Sequence, residues 1–155
     1  MPGMNPVTVR RCTVAELEQA PEFGALGEEY AAESGRAIRG VSDPQIDFYR
    51  RAEAAGTMLF HGAWIGEELV GFLVLHLSVV PHLGVTIATT ETLFVASHAR
   101  SSGAGRLLLD FAEDAAKDCG AAGLVVSAPV GGRLEVILPR RGFKLTNQLF
   151  FKGLQ

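Results

Sequence analysis

The run Arg100-Ser101-Ser102-Gly103-Ala104-Gly105-Arg106 has the residue types of an anion cradle. Gly103 and Gly105 carry no side chain, so an anion can come close to the backbone. Ser101, Ser102 and Ala104 are too small to block that approach. Arg100 and Arg106 bracket the run and can add positive charge. The run opens a segment, Gly103 to Cys119, in which Leu108, Phe111, Ala112, Ala115 and Cys119 recur at helical spacing. The first amides of a helix have no partner inside it and point outward. With the helix dipole they favour a phosphate group. A glycine-rich helix start without a ligand would use the same residues.

Two other phosphate motifs fail on named positions. In G-x-G-x-x-G the third glycine would fall at Leu108. In the P-loop a Gly-Lys-Ser/Thr triplet must follow the loop, and none does. What remains is R-x-x-G-x-G between an apolar strand and a helix.

The elements that must position this loop can be read in order. Val7-Thr8-Val9-Arg10 alternates like a strand. Thr13 precedes Glu16 by three residues, the spacing of a capping box. A helix follows from about Glu22 to Glu33, ended by Ser34-Gly35, then a loop with Arg36, Arg39, Gly40 and Pro44. Gln45 to Ala55 reads as a helix with Phe48, Ala52 and Ala55 on one face. Met58–Ile65, Leu69–Val80 and Val85–Val95 read as a three-strand meander with turns at Gly66-Glu67-Glu68 and Pro81 to Gly84. Consecutive strands joined this way run antiparallel. Leu124 to Ala128 is a short apolar run, as for a strand buried on both faces. Gly131 to Leu138 reads as a short helix ended by Pro139 and Gly142, with closing strands at Phe143–Leu145 and Gln148–Lys152. The fold class is mixed α/β with a largely antiparallel central sheet flanked by helices, in one domain spanning residues 1–155.

Arg100-x-x-Gly103-x-Gly105 after Leu93-Phe94-Val95 resembles the coenzyme A motif of the GCN5-related N-acetyltransferase (GNAT) superfamily. The amphipathic helix, the Leu124–Ala128 run and the Arg141-Gly142-Phe143 turn follow in the family's order. The C-terminal half carries the likeness well, and the N-terminal half only by element order. The resemblance implies acetyl-CoA as cosubstrate, no metal, and transfer of the acetyl group to a primary amine by direct attack. Such an enzyme is an acyltransferase moving groups other than aminoacyl groups. Arg100 to Arg106 would hold the pyrophosphate. Backbone groups of Phe94 and Val95 would bond the pantetheine arm in a gap between that strand and Leu124–Ala128. One amide there could polarise the thioester carbonyl. Dimers are common in the family.

Acyl transfer needs a neutral amine, a polarised carbonyl and a protonated leaving thiolate. By the resemblance, a carboxylate on the central strand is the base, and Glu91 stands at one of the positions used. A Glu in that run is costly unless hydrated or paired, so Glu91 is either a base or a solvated side chain. The family commonly has a Tyr four residues before the Gly-Phe turn, and Leu138 stands there. The Asn often found earlier falls near Gly131. Some members leave thiolate protonation to water. Ser127 is a candidate substitute for the missing proton donor, against the expectation of a buried strand Ser bonded to backbone. A non-catalytic acyl-CoA sensor or interaction module on the same fold is the alternative, and Leu138 is what supports it. Glu28, Glu29 and Tyr30 would lie on the acceptor-side helix, with Glu28 and Glu29 solvated and Tyr30 in the core. Arg36 and Arg39 read as solvated. His61 and His76 lie in strands, His82 in a turn, and His98 in the linker before the cradle.

Composition narrows the setting. A net charge of −3 and a pI near 5.8 disfavour a broad grip on nucleic acid, while leaving room for a local basic pocket. Cys12 and Cys119 are far apart, with no CxxC pair and no metal-spaced cluster, which fits free thiols in a reducing cytoplasm. No signal peptide is visible at Met1 to Pro6, and no apolar run is long enough to span a bilayer.

Overall fold

The computed structural model describes residues 5–34 and 42–154. Strand β1 spans Val7–Cys12. Thr13 then caps helix α1, Val14–Gln19: its hydroxyl accepts from the Glu16 amide, and the Glu16 carboxylate accepts from the Thr13 amide. Helices α2 (Phe23–Ser34) and α3 (Ile46–Ala54) follow. The meander is β2 (Met58–Ile65), β3 (Glu68–Val80) and β4 (Val85–Val95). A 3₁₀ turn, Ser97–Ser102, leads into helix α4, Ala104–Asp118. Strand β5 (Gly123–Val125) and helix α5 (Leu134–Arg140) complete the elements. Arg36, Arg39 and Gly40 lie outside the described residues.

The sheet runs β1-β2-β3-β4-β5, antiparallel throughout except for the parallel β4–β5 pair. It is a mixed α/β fold with a mostly antiparallel sheet flanked by helices, as the sequence predicts. β3 is apolar on both faces because both are covered. Val70, Leu73 and Leu75 pack with Leu108 and Ala112 of α4. Leu69, Phe72 and Val74 pack with residues of α1, α2 and α3 on the other side.

Four expectations need correction. Leu124–Ala128 forms only the three-residue β5, and Val125 is 47% exposed, so this strand is not buried on both faces. Phe143–Leu145 and Gln148–Lys152 form no strands: an apolar run makes a strand only when a partner edge is in reach, and none pairs with them among the described residues. On α3 the inward face is Ile46, Tyr49 and Ala52, while Phe48 is half exposed. The last helix starts three residues late, because Pro129 to Gly132 form a turn closed by the Gly132 amide on the Pro129 carbonyl (2.9 Å), and it runs through Pro139 to Arg140.

His61 of β2 is buried, its ring edge against Phe111 of α4, with no partner for Nδ1 among the described residues. Burial disfavours the imidazolium and drops its pKa from 6.5 to about 4. Between those values the unfolded chain binds the proton and the folded chain does not. Stability should therefore fall as pH drops from about 6.5 towards 4. Melting curves across this range should show His61→Gln with a weaker acid dependence than the parent. Parallel curves would mean His61 does not carry the effect.

Candidate active site

The groove is made where β4 and β5 part company. They pair only at Ile87–Gly123, Ala88–Leu124 and Thr89–Val125. The last tether is the Ser127 amide on the Thr90 hydroxyl (3.2 Å), and Ser127 is exposed rather than buried. Past it, β4 continues to Val95 with no strand on that side among the described residues. Just there β4 holds an extra residue: Val74 pairs with Thr92 and Leu75 with Thr90, leaving Glu91 on a bulge. A bulge increases local twist and re-aims side chains.

Backbone direction follows from two-residue alternation. The Ala96 amide donates to the Val70 carbonyl (2.8 Å), and the Phe94 carbonyl is turned toward Gly71 of β3. The backbone groups of Leu93 and Val95 therefore face the gap, and those of Phe94 face β3. Phe94 also lines the groove, while its ring packs against Tyr30 and Phe72, and Leu93 takes its place as a backbone candidate. The Val95 carbonyl already accepts from Arg100 Nε (3.0 Å).

The groove encloses about 520 Å³ between β4, the start of α4 and one face of α5. Gly103 and Gly105 line it, and a Cβ on Gly103 would meet no atom within 4 Å. Gly103 has φ +89°, a conformation open to glycine at little cost, and this lets the chain turn into α4. Ser101, Ser102 and Ala104 do not line the groove. The Ser102 hydroxyl instead closes the turn, donating to the Ala99 carbonyl and accepting from the Ala104 amide.

Arg100 has a different setting from the one its position suggests. Its guanidinium donates to both carboxylate oxygens of Glu33 on α2 (2.7 and 2.6 Å) and lies over the Phe94 ring. One turn earlier on α2, Glu29 accepts from the Ser97 amide (2.8 Å), and this bond holds its carboxyl below the usual range. Two carboxylates of α2 thus anchor the 3₁₀ turn at its first residue and at its middle. Tyr30, between them, packs edge-on against Phe72 and Phe94. His98 bonds Glu68 of β3 (2.8 Å).

The α5 face contributes what the sequence reading missed. Arg133, Ile137 and Arg140, at i, i+4 and i+7, line the groove with Leu134 and Arg141. Arg141 donates to Asp110 (2.6 Å) and Glu113 (2.9 Å), pinning α5 to α4; these bonds raise its pKa. Arg106, Arg133 and Arg140 form no ion pair among the described residues, so three guanidinium groups border the groove uncommitted. The signal was present in the arginine spacing, but only packing shows which helix faces the gap. Leu138 is buried and presents no donor.

Glu91 lies on the α3 side of β4. Tyr49 donates its hydroxyl to Glu91 Oε1 (3.1 Å), and Thr92 donates to Oε2 (2.6 Å). Burial, then the Glu91 charge, pushes the Tyr49 phenol up beyond the range of a useful acid at neutral pH. Tyr49 is therefore a donor that orients Glu91. Among the described residues no helix is long and apolar enough to cross a membrane.

Comparison with known proteins agrees with this geometry. No curated protein matches the chain in sequence. Among solved structures, a ribosomal-protein-alanine N-acetyltransferase from Brucella melitensis is similar at 18% identity, TM-score 0.69, over 96% of this chain and 99% of that one. An aminoglycoside acetyltransferase from an uncultured soil metagenomic sample, solved with trehalose, is similar at 16% identity, TM-score 0.74, over 97% and 98%. A transcriptional regulator from Bacillus halodurans is similar at 24% identity, TM-score 0.71, over 96% and 99%. These likenesses concern the fold. The profile of the Acetyltransferase (GNAT) family matches residues 18–131, most of the 155-residue chain, and the protein belongs to that family.

Proposed function

We propose that the chain transfers an acetyl group from acetyl-CoA to a primary amine. The observation that carries this reading is the parting of β4 from β5 beside a glycine-rich helix start, with uncommitted arginines on the facing helix. The α4 amides and Arg106 take the pyrophosphate. Arg133 and Arg140 add charge from the opposite wall. Arg100, tied to Glu33, holds the loop in shape. The pantetheine arm lies along Leu93 to Val95, where outward backbone groups can bond it and polarise the thioester carbonyl. Glu91, oriented by Tyr49 and Thr92, accepts a proton from the amine. The amine nitrogen bonds the acetyl carbon, the carbon–sulfur bond breaks, and water protonates the thiolate. The free thiols Cys12 and Cys119 suit a reducing compartment such as the cytoplasm.

Calorimetric titration with acetyl-CoA, then release of free thiol with a panel of amines, tests the reading. The panel should include polyamines, amino sugars, amino acids and peptides with free N-termini. Micromolar binding with amine-dependent thiol release is the expected result. Absence of binding would end the reading. Tight binding without release on any acceptor favours the second reading, an acyl-CoA sensor, which the buried Leu138 supports.

A further inference from the structure

Phe48 of α3 is 50% exposed, and no other Phe, Tyr or Trp before residue 145 is exposed among the described residues. Its place on α3 follows from the helix pitch. Ile46, Tyr49 and Ala52 face the core. Arg50 and Glu53 turn to α1, where Arg50 meets Glu18 and Glu53 accepts from the Val14 amide. Phe48 is two positions before Arg50, roughly 200° around the helix, and so lies on the opposite flank. There its ring stands edge-on to the Tyr49 ring, with centroids 5.9 Å apart.

That contact joins Phe48 to Glu91. The Tyr49 hydroxyl donates to Glu91 Oε1 (3.1 Å), so the Phe48 ring and the carboxylate stand within about 12 Å of each other. Tyr49 fixes both, because its own ring is seated edge-on against Phe60 of β2 (5.9 Å). Glu91 is exposed as well. An apolar ring and a carboxylate thus open to solvent on either side of one phenol.

The same surface offers little to a polycation. Glu29 and Glu33 of α2 are bonded to Ser97 and Arg100, and Asp47 of α3 meets Arg50. Glu28 is two positions from the inward Tyr30, roughly 200° around α2, and lies on the outer face. Among the described carboxylates of α2, α3 and β4, this leaves Glu91 to meet an ammonium group. A nitrogen bonded to Glu91 takes up about 3 Å of the span to Phe48, and contact between rings about 5 Å. What remains fits a spacer of roughly two carbons.

We propose that Phe48 sets the acceptor specificity, and that the acceptor is a primary monoamine with an aromatic or bulky apolar group about two carbons from its nitrogen. This rests on the reading of the chain as an amine acetyltransferase acting through Glu91. Glu91 takes the proton of the amine, and the apolar group lies on the open face of Phe48, so both lose contact with water. An amino sugar or a polyamine would set hydroxyls or a further charge against that ring, and their desolvation disfavours them.

Thiol release from acetyl-CoA with 2-phenylethylamine, ethanolamine, spermidine or glucosamine tests the proposal. kcat/KM for 2-phenylethylamine should exceed the other three by about tenfold or more. Phe48→Ala should lower it about tenfold and erase the preference over ethanolamine, with acetyl-CoA affinity and melting temperature unchanged. Phe48→Trp should restore the preference. A preference that survives Phe48→Ala overturns the proposal, as does a parent that turns over ethanolamine, spermidine or glucosamine faster. Either result leaves the chain an amine acetyltransferase. Where turnover is too slow to rank amines, saturation-transfer NMR of 2-phenylethylamine with the CoA-loaded protein decides. A signal that Phe48→Ala removes is expected; no signal, or one that Phe48→Ala leaves unchanged, overturns the proposal. Acetyl-CoA that neither binds nor acetylates any amine removes the acetyltransferase reading, and this proposal with it.

Discussion

Gly105→Asp should weaken acetyl-CoA binding about 100-fold, or close to 2.8 kcal/mol, without lowering the melting temperature. Gly105 is the second residue of α4 and lines the groove. Its φ is not in the positive range, and a Cβ there would meet only Val95 Cγ2 at 3.8 Å, an ordinary contact. The backbone therefore accepts a side chain. A carboxylate in the first turn even favours the helix, by about 0.3–1 kcal/mol. The same charge lies where a pyrophosphate would lie, so it removes binding while sparing the fold. Calorimetry gives the affinity and a melting curve gives the control. Unchanged affinity would place the acyl-CoA site elsewhere. Gly103→Asp is the less clean variant, because φ +89° strains any side chain whether or not a ligand binds.

Glu91→Gln should lower kcat about 100-fold on the best acceptor of the amine panel and leave acetyl-CoA affinity unchanged. The amide keeps the shape and can still meet Tyr49 and Thr92, but it accepts no proton from the amine. Tyr49→Phe should cost about tenfold, the value of one hydrogen bond to a charged group. In a Glu91→Gln background the same Tyr49→Phe change should cost nothing further, because the partner it orients no longer acts. Additive losses would mean that Tyr49 works independently of Glu91. Normal turnover by Glu91→Gln would remove Glu91 from the mechanism while leaving the enzyme.

Much of the frame was legible in the sequence because local patterns decide it. Met58–Ile65 and Val85–Val95 are observed with the bounds their apolar runs suggest, since turn residues flank both. Thr13 and Glu16 form the capping box their spacing implies. Long-range pairing was hidden. Arg100 beside two glycines reads as a phosphate ligand, and only the fold brings Glu33 to it from 67 residues away. On α3 both Phe48 and Tyr49 belong to apolar helical faces, so spacing alone could not choose Tyr49 as the one that reaches Glu91. Arg133 and Arg140 carry no local signal of a site, and only the packing of α5 across the gap brings them to the groove. Gln148–Lys152 has strand-forming residues, but a strand needs an edge, and the edge is a property of the whole sheet.

The two carboxylates of α2 have a thermodynamic consequence. Glu29 and Glu33 tie that helix to the Ser97 amide and to Arg100, so the helix and the glycine-bearing turn cannot move independently. A molecule that settles against α2 and changes its position alters the free energy of an anion held at the turn. By linkage, the anion must alter the affinity for that molecule by the same factor. Under the proposed function, an acceptor seated against α2 and an acyl-CoA anion held at the turn would be coupled through Glu29 and Glu33, and either ligand would report on the other.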